Sequence, residues 1–325
     1  MSRLKIAIEA VHRACGLVQD IQRVLVSQET IAKSDRSPVT VADFAAQAVI
    51  SLALNQALPE DQVLGEENAD FLRTETAQAQ RSRVIDAVKS ITPKATGGMV
   101  LDAIDRCSLS DDLPEAYWTL DPIDGTKGFL RRGQYAIALA WIERGQVLLG
   151  VLGCPELSLD PHQGPGVICS ARHGGGARLR SLSSQQQSSM AVSRLDEPAQ
   201  AAFLESVEAA HSAHGTHARI AAGLGMKAPP VRMDSQCKYA ALAHGQGQIY
   251  LRLPRDGTYQ EKVWDHAAGA LLVEEAGGKV SDSNGHPLDF GAGATLKNNT
   301  GIVATNGHFH DQVLEAVREA LQATD

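Results

Sequence analysis

Apolar residues recur at helical spacing over 4–25, where Leu4, Ile8, Val11, Cys15, Val18, Ile21 and Leu25 form one stripe, and this predicts a first helix. A second helix is predicted over 40–58, with Thr40 as its N-cap and Asp43 in its first turn. Residues 70–110 hold no clear apolar strand and read as mostly helical. The period then changes. EAYWTLD (115–121) reads as a buried strand, and YAIALAWIE with QVLLGVLG (135–153) as two strands around a tight Arg144-Gly145 turn. GVICSAR and ARLRSL make a second hairpin about the glycines 174–176, and SLSSQQQSSM (181–190) reads as a polar surface loop. In the second half AVS (191–193) precedes a predicted helix at 197–210, and residues 231–253 read strand, helix, strand. WDHAAGALLVEEAGG (264–278) is a helix closed by Gly277-Gly278, and GIVATNG is a last strand before a helix ending near Leu321.

The alternation places the chain in the α/β or α+β class, and no fixed-period repeat interrupts it. The Pro/Gly-rich run CPELSLDPHQGPG suggests a boundary near 155–165, dividing the chain into halves 1–158 and 159–325. With 325 residues and 43% hydrophobic residues, the chain can bury a sizeable core. A net charge of -8 and only 4% aromatics argue against a nucleic-acid partner, although a local metal site can still draw a small anionic substrate. Five cysteines without a C-x-x-C pair read as reduced thiols of an intracellular protein. There is no run of about 18 apolar residues to span a membrane and no secretory or transit signal. A cytoplasmic location is therefore expected, and an organellar one would need a leader already removed.

The acidic positions carry the chemistry. Asp43, Glu66, Glu67, Asp121, Asp124 and Asp265 each stand at the edge of a predicted element, where a loop can turn them into a shared cleft. Such hard oxygen donors suit Mg²⁺ or Mn²⁺. In DPIDGT, Pro122 fixes its own φ and Gly125 permits a sharp turn, which predicts a rigid D-x-x-D clamp with the Ile123 carbonyl as a further oxygen. A helix starting at Gly125-Thr126 would offer unpaired N–H groups to an anion beside it. Together these features predict a phosphate-ester hydrolase site. Plainer readings compete at several positions. Asp43 alone would be a first-turn helix acid, and Glu67 beside Glu66 should point away from it. HSAHGTH spaces His211, His214 and His217 three apart, but such residues spread around a helix and no cysteine or carboxylate partner is obvious, so a solvated loop with one substrate-contacting histidine is expected rather than a zinc site. Glu274 and Glu275 read as an exposed face, and Cys154 and Cys237 as small buried residues. The glycines at 174–176 and in GAGAT do not follow the dinucleotide-binding pattern.

DPIDGT, WDHAAGALLVEEAGG and GEE resemble the signature of the metal-dependent, lithium-sensitive inositol monophosphatase superfamily. SPVTVADFAAQ, VLGEEN, DSQCKYAALA, YLRLP and YQEKVWDHAAG bring the chain closer to one branch, the 3′(2′),5′-bisphosphate nucleotidases of the yeast and plant type, over about residues 34 to 304. The resemblance implies a layered αβαβα sandwich of the inositol monophosphatase and fructose-bisphosphatase type, with the metal site between the halves. It implies Glu66, Asp121, the Ile123 carbonyl, Asp124 and Asp265 as ligands of two or three Mg²⁺ ions, replaceable by Mn²⁺. Asp43 would orient and deprotonate Thr126, which would take the proton of the attacking water, and Gly125 and Thr126 would hold the phosphate through their amides. His211, Ser235, Lys238 and Arg252 would contact the substrate. The implied activity is Mg²⁺-dependent removal of the 3′-phosphate of adenosine 3′,5′-bisphosphate, with action on 3′-phosphoadenosine 5′-phosphosulfate and inhibition by Li⁺ and Na⁺. The expected partner is thus a small molecule bound by a monomer, with neither nucleic acid nor membrane involved. Rival readings are a phosphatase acting on inositol 1-phosphate or inositol 1,4-bisphosphate, and a catalytically silent sensor. A sensor should lack a ligand or the threonine-aspartate pair, and all are present here.

Overall fold

An apolar stripe winds down α1 (Arg3–Leu25), whereas α2 (Ser37–Ala57) is buried on all sides over 41–51, and the two helices pack on each other and on one face of a sheet. The computed structural model describes residues 1–25, 37–109, 113–160, 164–184, 186–207, 214–253 and 259–322. Among the described residues this sheet has seven strands in chain order: β1 (Gln62–Gly65), β2 (Ala116–Asp124), β3 (Ala136–Glu143), β4 (Gln146–Cys154), β5 (Val167–Arg172), β6 (Gly176–Ser181) and β7 (Gln187–Ser189). β1 is parallel to β2, and the remaining neighbours are antiparallel. Between β1 and β2 lie α3 (Asp70–Arg73), α4 (Gln78–Ile91) and α5 (Gly97–Asp105), so the stretch 70–110 is mostly helical, as predicted.

The period of two along β3 shows how one strand serves two layers. Ile137, Leu139 and Trp141 face α1 and α2, whereas Ala136, Ala138, Ala140 and Ile142 face the opposite core. Small alanines on that second face let two further helices approach closely, α8 (Cys237–Ala243) and α9 (Ala267–Glu275). These helices are covered in turn by a second sheet, which among the described residues has five strands: β8 (Phe203–Glu205), β9 (Val231–Arg232), β10 (Ile249–Arg252), β11 (Lys279–Ser281) and β12 (Ile302–Thr305). Their order in the sheet is β11, β12, β10, β8, β9. A third core on its outer face takes Val313 and Val317 of α10 (His310–Gln322) and Ile220 of α7 (His214–Gly223). The layers therefore run αβαβα.

Several sequence expectations change. α2 already runs from Ser37, so Thr40 is not its cap and Asp43 lies beyond the first turn. Gln187–Ser189 of the expected surface loop pair with β6 as an exposed edge strand. Over the predicted helix at 197–210, the described residues form a 3-10 turn at Pro198–Gln200 and then β8, because Phe203 and Leu204 gain more by burial beside β10 than by helical hydrogen bonds. β11 is a strand that the sequence reading missed. β4 pairs with β5 across the 158/159 division, so the first sheet continues to Ser189.

A histidine of the outer layer makes folding sensitive to acid. His310 is buried, with Nε2 2.9 Å from Ser281 Oγ and Nδ1 2.9 Å from Thr305 Oγ1. The Ser281 hydroxyl donates to the Asp282 carbonyl and so accepts from Nε2–H, which leaves Nδ1 to accept from Thr305. Protonating Nδ1 would break that bond. Burial first, then Lys279, push the histidine down to about 4. The unfolded chain therefore binds the extra proton between its ordinary 6.5 and about 4. The stabilisation is complete above that window and falls as pH drops through it, by about 3 kcal/mol. Urea midpoints at pH 7 and pH 4.5 should show this loss, and His310→Gln should start lower at pH 7 but lose less on acidification.

Candidate active site

Asp121 and Asp124 are three residues apart, so an unbroken strand would aim them at opposite faces. Asp121 pairs with Ala138 and Asp124 with Ala136, so β2 spends three steps where β3 spends two. The extra residue is a bulge, and Pro122, which has no N–H for a ladder, sits inside it. It returns both carboxylates to one cleft. The Ile123 N–H closes the turn by donating to Asp121 Oδ1 at 3.1 Å. The expected clamp is thus a bulged strand end rather than a free turn.

Gly125, at φ +93°, then starts α6 (Thr126–Leu130). A Cβ on Gly125 would lie 2.9 Å from Ser235 Cβ, and one on Gly128 would lie 2.0 Å from the Gln134 carbonyl oxygen and 3.1 Å from Asp234 Cβ. These two glycines let α6 seat flush against Asp234 and Ser235. On the far side, Gln22 of α1 donates to the Phe129 carbonyl at 2.7 Å.

Glu66 follows β1 directly, and its N–H donates to the Leu120 carbonyl at 3.2 Å, one residue before Asp121. Gln47 of α2, fully buried, fixes the adjacent backbone from both sides: its Nε2 donates to the Glu67 carbonyl at 2.6 Å and its Oε1 accepts the Glu67 N–H at 3.1 Å. Asp265 ends the 3-10 turn Val263–Asp265 that leads into α9. Gln236 joins the halves, its N–H donating to Asp124 Oδ2 at 2.6 Å and its Nε2 to the Trp264 carbonyl at 2.9 Å. Neither Gln47 nor Gln236 was singled out in the sequence; the visible signal was their place within SPVTVADFAAQ and DSQCKYAALA.

The cleft measures about 370 Å³ and gathers Glu66, Asp121, Ile123, Asp124 and Asp265, the five positions expected to ligate metal. Gly125, Thr126, Ser235, Lys238 and Arg252 line it too, and His211 lies outside the described residues. Asp43 is buried behind this wall. α2 packs against α6 there, but among the described residues no hydrogen bond joins Asp43 to Thr126, whose side chain is exposed.

Crowding leaves its mark on the acids. Burial, then repulsion from Glu66, Asp124, Asp265 and Asp43, holds Asp121 well above the usual carboxylate range. Glu66 is exposed along its outer edge, yet the cleft walls desolvate its carboxyl and Glu67, Asp265 and Asp124 repel its charge, raising it to about 7. Its hydrogen bond with Asp121 opposes this rise. Asp265 is raised to about 6, by burial first, with Arg252 opposing and Asp124 adding. Asp43 is raised by burial and then by Glu67 and Glu66. Lys238 is 3% exposed, and burial lowers it to about 8. Its Nζ has the Met233 carbonyl at 3.4 Å and the Tyr250 ring at 5.3 Å.

An all-oxygen set with unbalanced negative charge is what a hard divalent cation fits. Glu261, Asp265 and His266 also place ligand atoms within 4.8 Å of one another. That trio is already engaged, since Arg252 reaches Glu261 at 2.8 Å and Asp265 at 3.5 Å, and the Tyr239 hydroxyl is 2.9 Å from His266 Nδ1.

The sequence profile of the inositol monophosphatase family matches residues 2–322. This chain belongs to the inositol monophosphatase family. It is similar to the 3′(2′),5′-bisphosphate nucleotidase of Schizosaccharomyces pombe, 45% identical over 332 residues that cover 96% of this chain and 94% of the relative. It is 42% identical to that of Oryza sativa over 340 residues, covering 99% and 95%. Among solved structures the fold matches the IMPase of Thermotoga maritima, with TM-score 0.65 at 18% identity and full coverage of both chains. It also matches the inositol monophosphatase of Anabaena, with TM-score 0.62 at 21% identity over 98% and 97% of the chains. The αβαβα sandwich expected from the resemblance is therefore the fold of this inositol monophosphatase family member.

Three plainer readings can be checked against the same fold. His217 is no solvated loop residue: it is 2% exposed on α7, stacked on Phe203, with Nδ1 3.2 Å from Glu205. Glu205 is the carboxylate partner that sequence distance concealed. Glu275 accepts the N–H groups of Gly174, Gly175 and Gly176 at 2.6, 3.1 and 2.7 Å, so it pins the β5–β6 turn to α9 instead of forming an open face. Cys154 and Cys237 are buried free thiols, as expected.

Proposed function

We propose that this chain is a Mg²⁺-dependent 3′(2′),5′-bisphosphate nucleotidase that hydrolyses adenosine 3′,5′-bisphosphate to AMP and phosphate. The observation that carries this reading is one cleft in which Glu66, Asp121, Asp124 and Asp265 crowd together beside two cations, the buried Lys238 and the part-buried Arg252. Glu66, Asp121, the Ile123 carbonyl, Asp124 and Asp265 would hold Mg²⁺, which when bound supplies polarisation of the phosphoryl group and acidification of a water. The N–H groups of Gly125 and Thr126 would hold the phosphate oxygens at the start of α6. Thr126 Oγ1 would accept the proton of the attacking water and pass its own towards Asp43. With no direct bond between the two side chains, that transfer calls for a small approach or one bridging water. Burial raises the proton affinity of Asp43, so in its ionised form it is a strong base for that transfer. Lys238 and Arg252 would grip the 5′-phosphate that is kept. 3′-Phosphoadenosine 5′-phosphosulfate presents the same pair of anionic ends and would also be cleaved.

Thr126→Ala should lower kcat about 10²- to 10³-fold, with the stabilisation of the protein by Mg²⁺ retained and activity restored in Thr126→Ser. A fully active Thr126→Ala enzyme would sink the proton relay. Phosphate release from adenosine 3′,5′-bisphosphate, stopped by a chelator, tests the function itself.

A further inference from the structure

A guanidinium 3.5 Å from a metal-ligating carboxylate poses a problem. Left free, Arg252 would close on Asp265 as a bidentate pair. Asp265 would then lose its oxygens to the arginine, and the arginine would turn away from an anionic substrate. Glu261 stands where it can prevent this. Its Oε2 lies 2.8 Å from Arg252 Nε, a closer approach than the one Arg252 makes to Asp265. The same oxygen is 3.0 Å from His266 Nε2. A carboxylate only accepts, so His266 carries its proton on Nε2, and Nδ1 accepts from the fully buried Tyr239 hydroxyl at 2.9 Å. The backbone of Glu261 is fixed as well, its carbonyl accepting the Leu296 N–H at 2.8 Å beside the Lys262–Thr295 bridge. Glu261 is thus a rigid acceptor with one oxygen shared by Arg252 and His266.

We propose that Glu261 is a positioning residue that holds Arg252 off Asp265, so that a cation site and an anion site can coexist at contact distance in one cleft. The inference rests on the proposed roles of Asp265 and Arg252, and it adds a residue that touches neither reacting group.

The test is Mg²⁺ binding measured by calorimetry, without turnover, on the native protein, Glu261→Gln, Arg252→Met and the double variant. Glu261→Gln should weaken Mg²⁺ binding about tenfold, as Arg252 closes on Asp265. Arg252→Met should bind Mg²⁺ at least as tightly as the native protein. The double variant should match Arg252→Met, since with no arginine to restrain Glu261 has nothing left to do. Equal weakening by Glu261→Gln in both backgrounds would mean that Glu261 merely supports the loop or ligates the ion itself, and would overturn the proposal. Unchanged binding in Glu261→Gln would overturn it too. Native protein that binds Mg²⁺ but leaves the nucleotide uncut would refute the substrate and leave this inference standing. Native protein that binds no Mg²⁺ would refute both.

Discussion

Asp121→Asn should reduce phosphate release at least about 10³-fold and leave the metal-free fold as stable as before or more so. Both halves follow from the same geometry. Asp121 is 2% exposed and faces Glu66, Asp124, Asp265 and Asp43, so its charge is costly in the absence of a cation. The amide keeps the size and the oxygen that accepts from the Ile123 N–H but removes the charge. Thermal melts with and without Mg²⁺ separate the two effects. The native protein should gain several degrees on adding Mg²⁺, and the variant should gain little. A variant that lost stability in the metal-free state would show that Asp121 serves the fold, and the central claim would weaken.

Lys238→Met should raise KM for adenosine 3′,5′-bisphosphate about 30- to 100-fold while changing KM for inositol 1-phosphate less than about threefold. Lys238 is buried between Met233 and Tyr250, where a methionine fits without a desolvated charge. The melting temperature should therefore hold or rise. A pH signature accompanies the binding loss. Burial lowers Lys238 to about 8, so the free native enzyme sheds this positive charge as pH rises through that value. Its KM for the nucleotide should climb from pH 7.5 to 9, and the climb should vanish in Lys238→Met. Equal losses on both substrates would mean that Lys238 shapes the cleft and does not read the second phosphate.

The helices and central hairpins were legible because their periods are local. Leu4 to Ile21 and the strands about Arg144-Gly145 announce themselves within a few residues, and Arg144 and Gly145 do adopt the positive φ that such a tight turn needs. The helix expected over 197–210 failed where Phe203 and Leu204 pair with β10, some forty-five residues away. At the site, the acid residues were legible as types, but not the device that aligns them: whether Asp121 and Asp124 share a side depends on a bulge defined against β3. Gln47, Gln236 and Glu261 all lie in the segments that carry the resemblance, SPVTVADFAAQ, DSQCKYAALA and YQEKVWDHAAG, yet their roles were not legible. Each acts through a partner distant in sequence or by sharing one atom, and a polar residue of that kind shows no role until the fold brings the partner in.

The most direct measurement is phosphate release from adenosine 3′,5′-bisphosphate, with inositol 1,4-bisphosphate and inositol 1-phosphate in parallel, each with Mg²⁺, with a chelator and with added Li⁺. The predicted result is rapid cleavage of the nucleotide that needs Mg²⁺ and is inhibited by Li⁺, with inositol 1-phosphate much the poorer substrate. Cleavage of the inositol phosphates alone, or nucleotide binding without any release of phosphate, would contradict it.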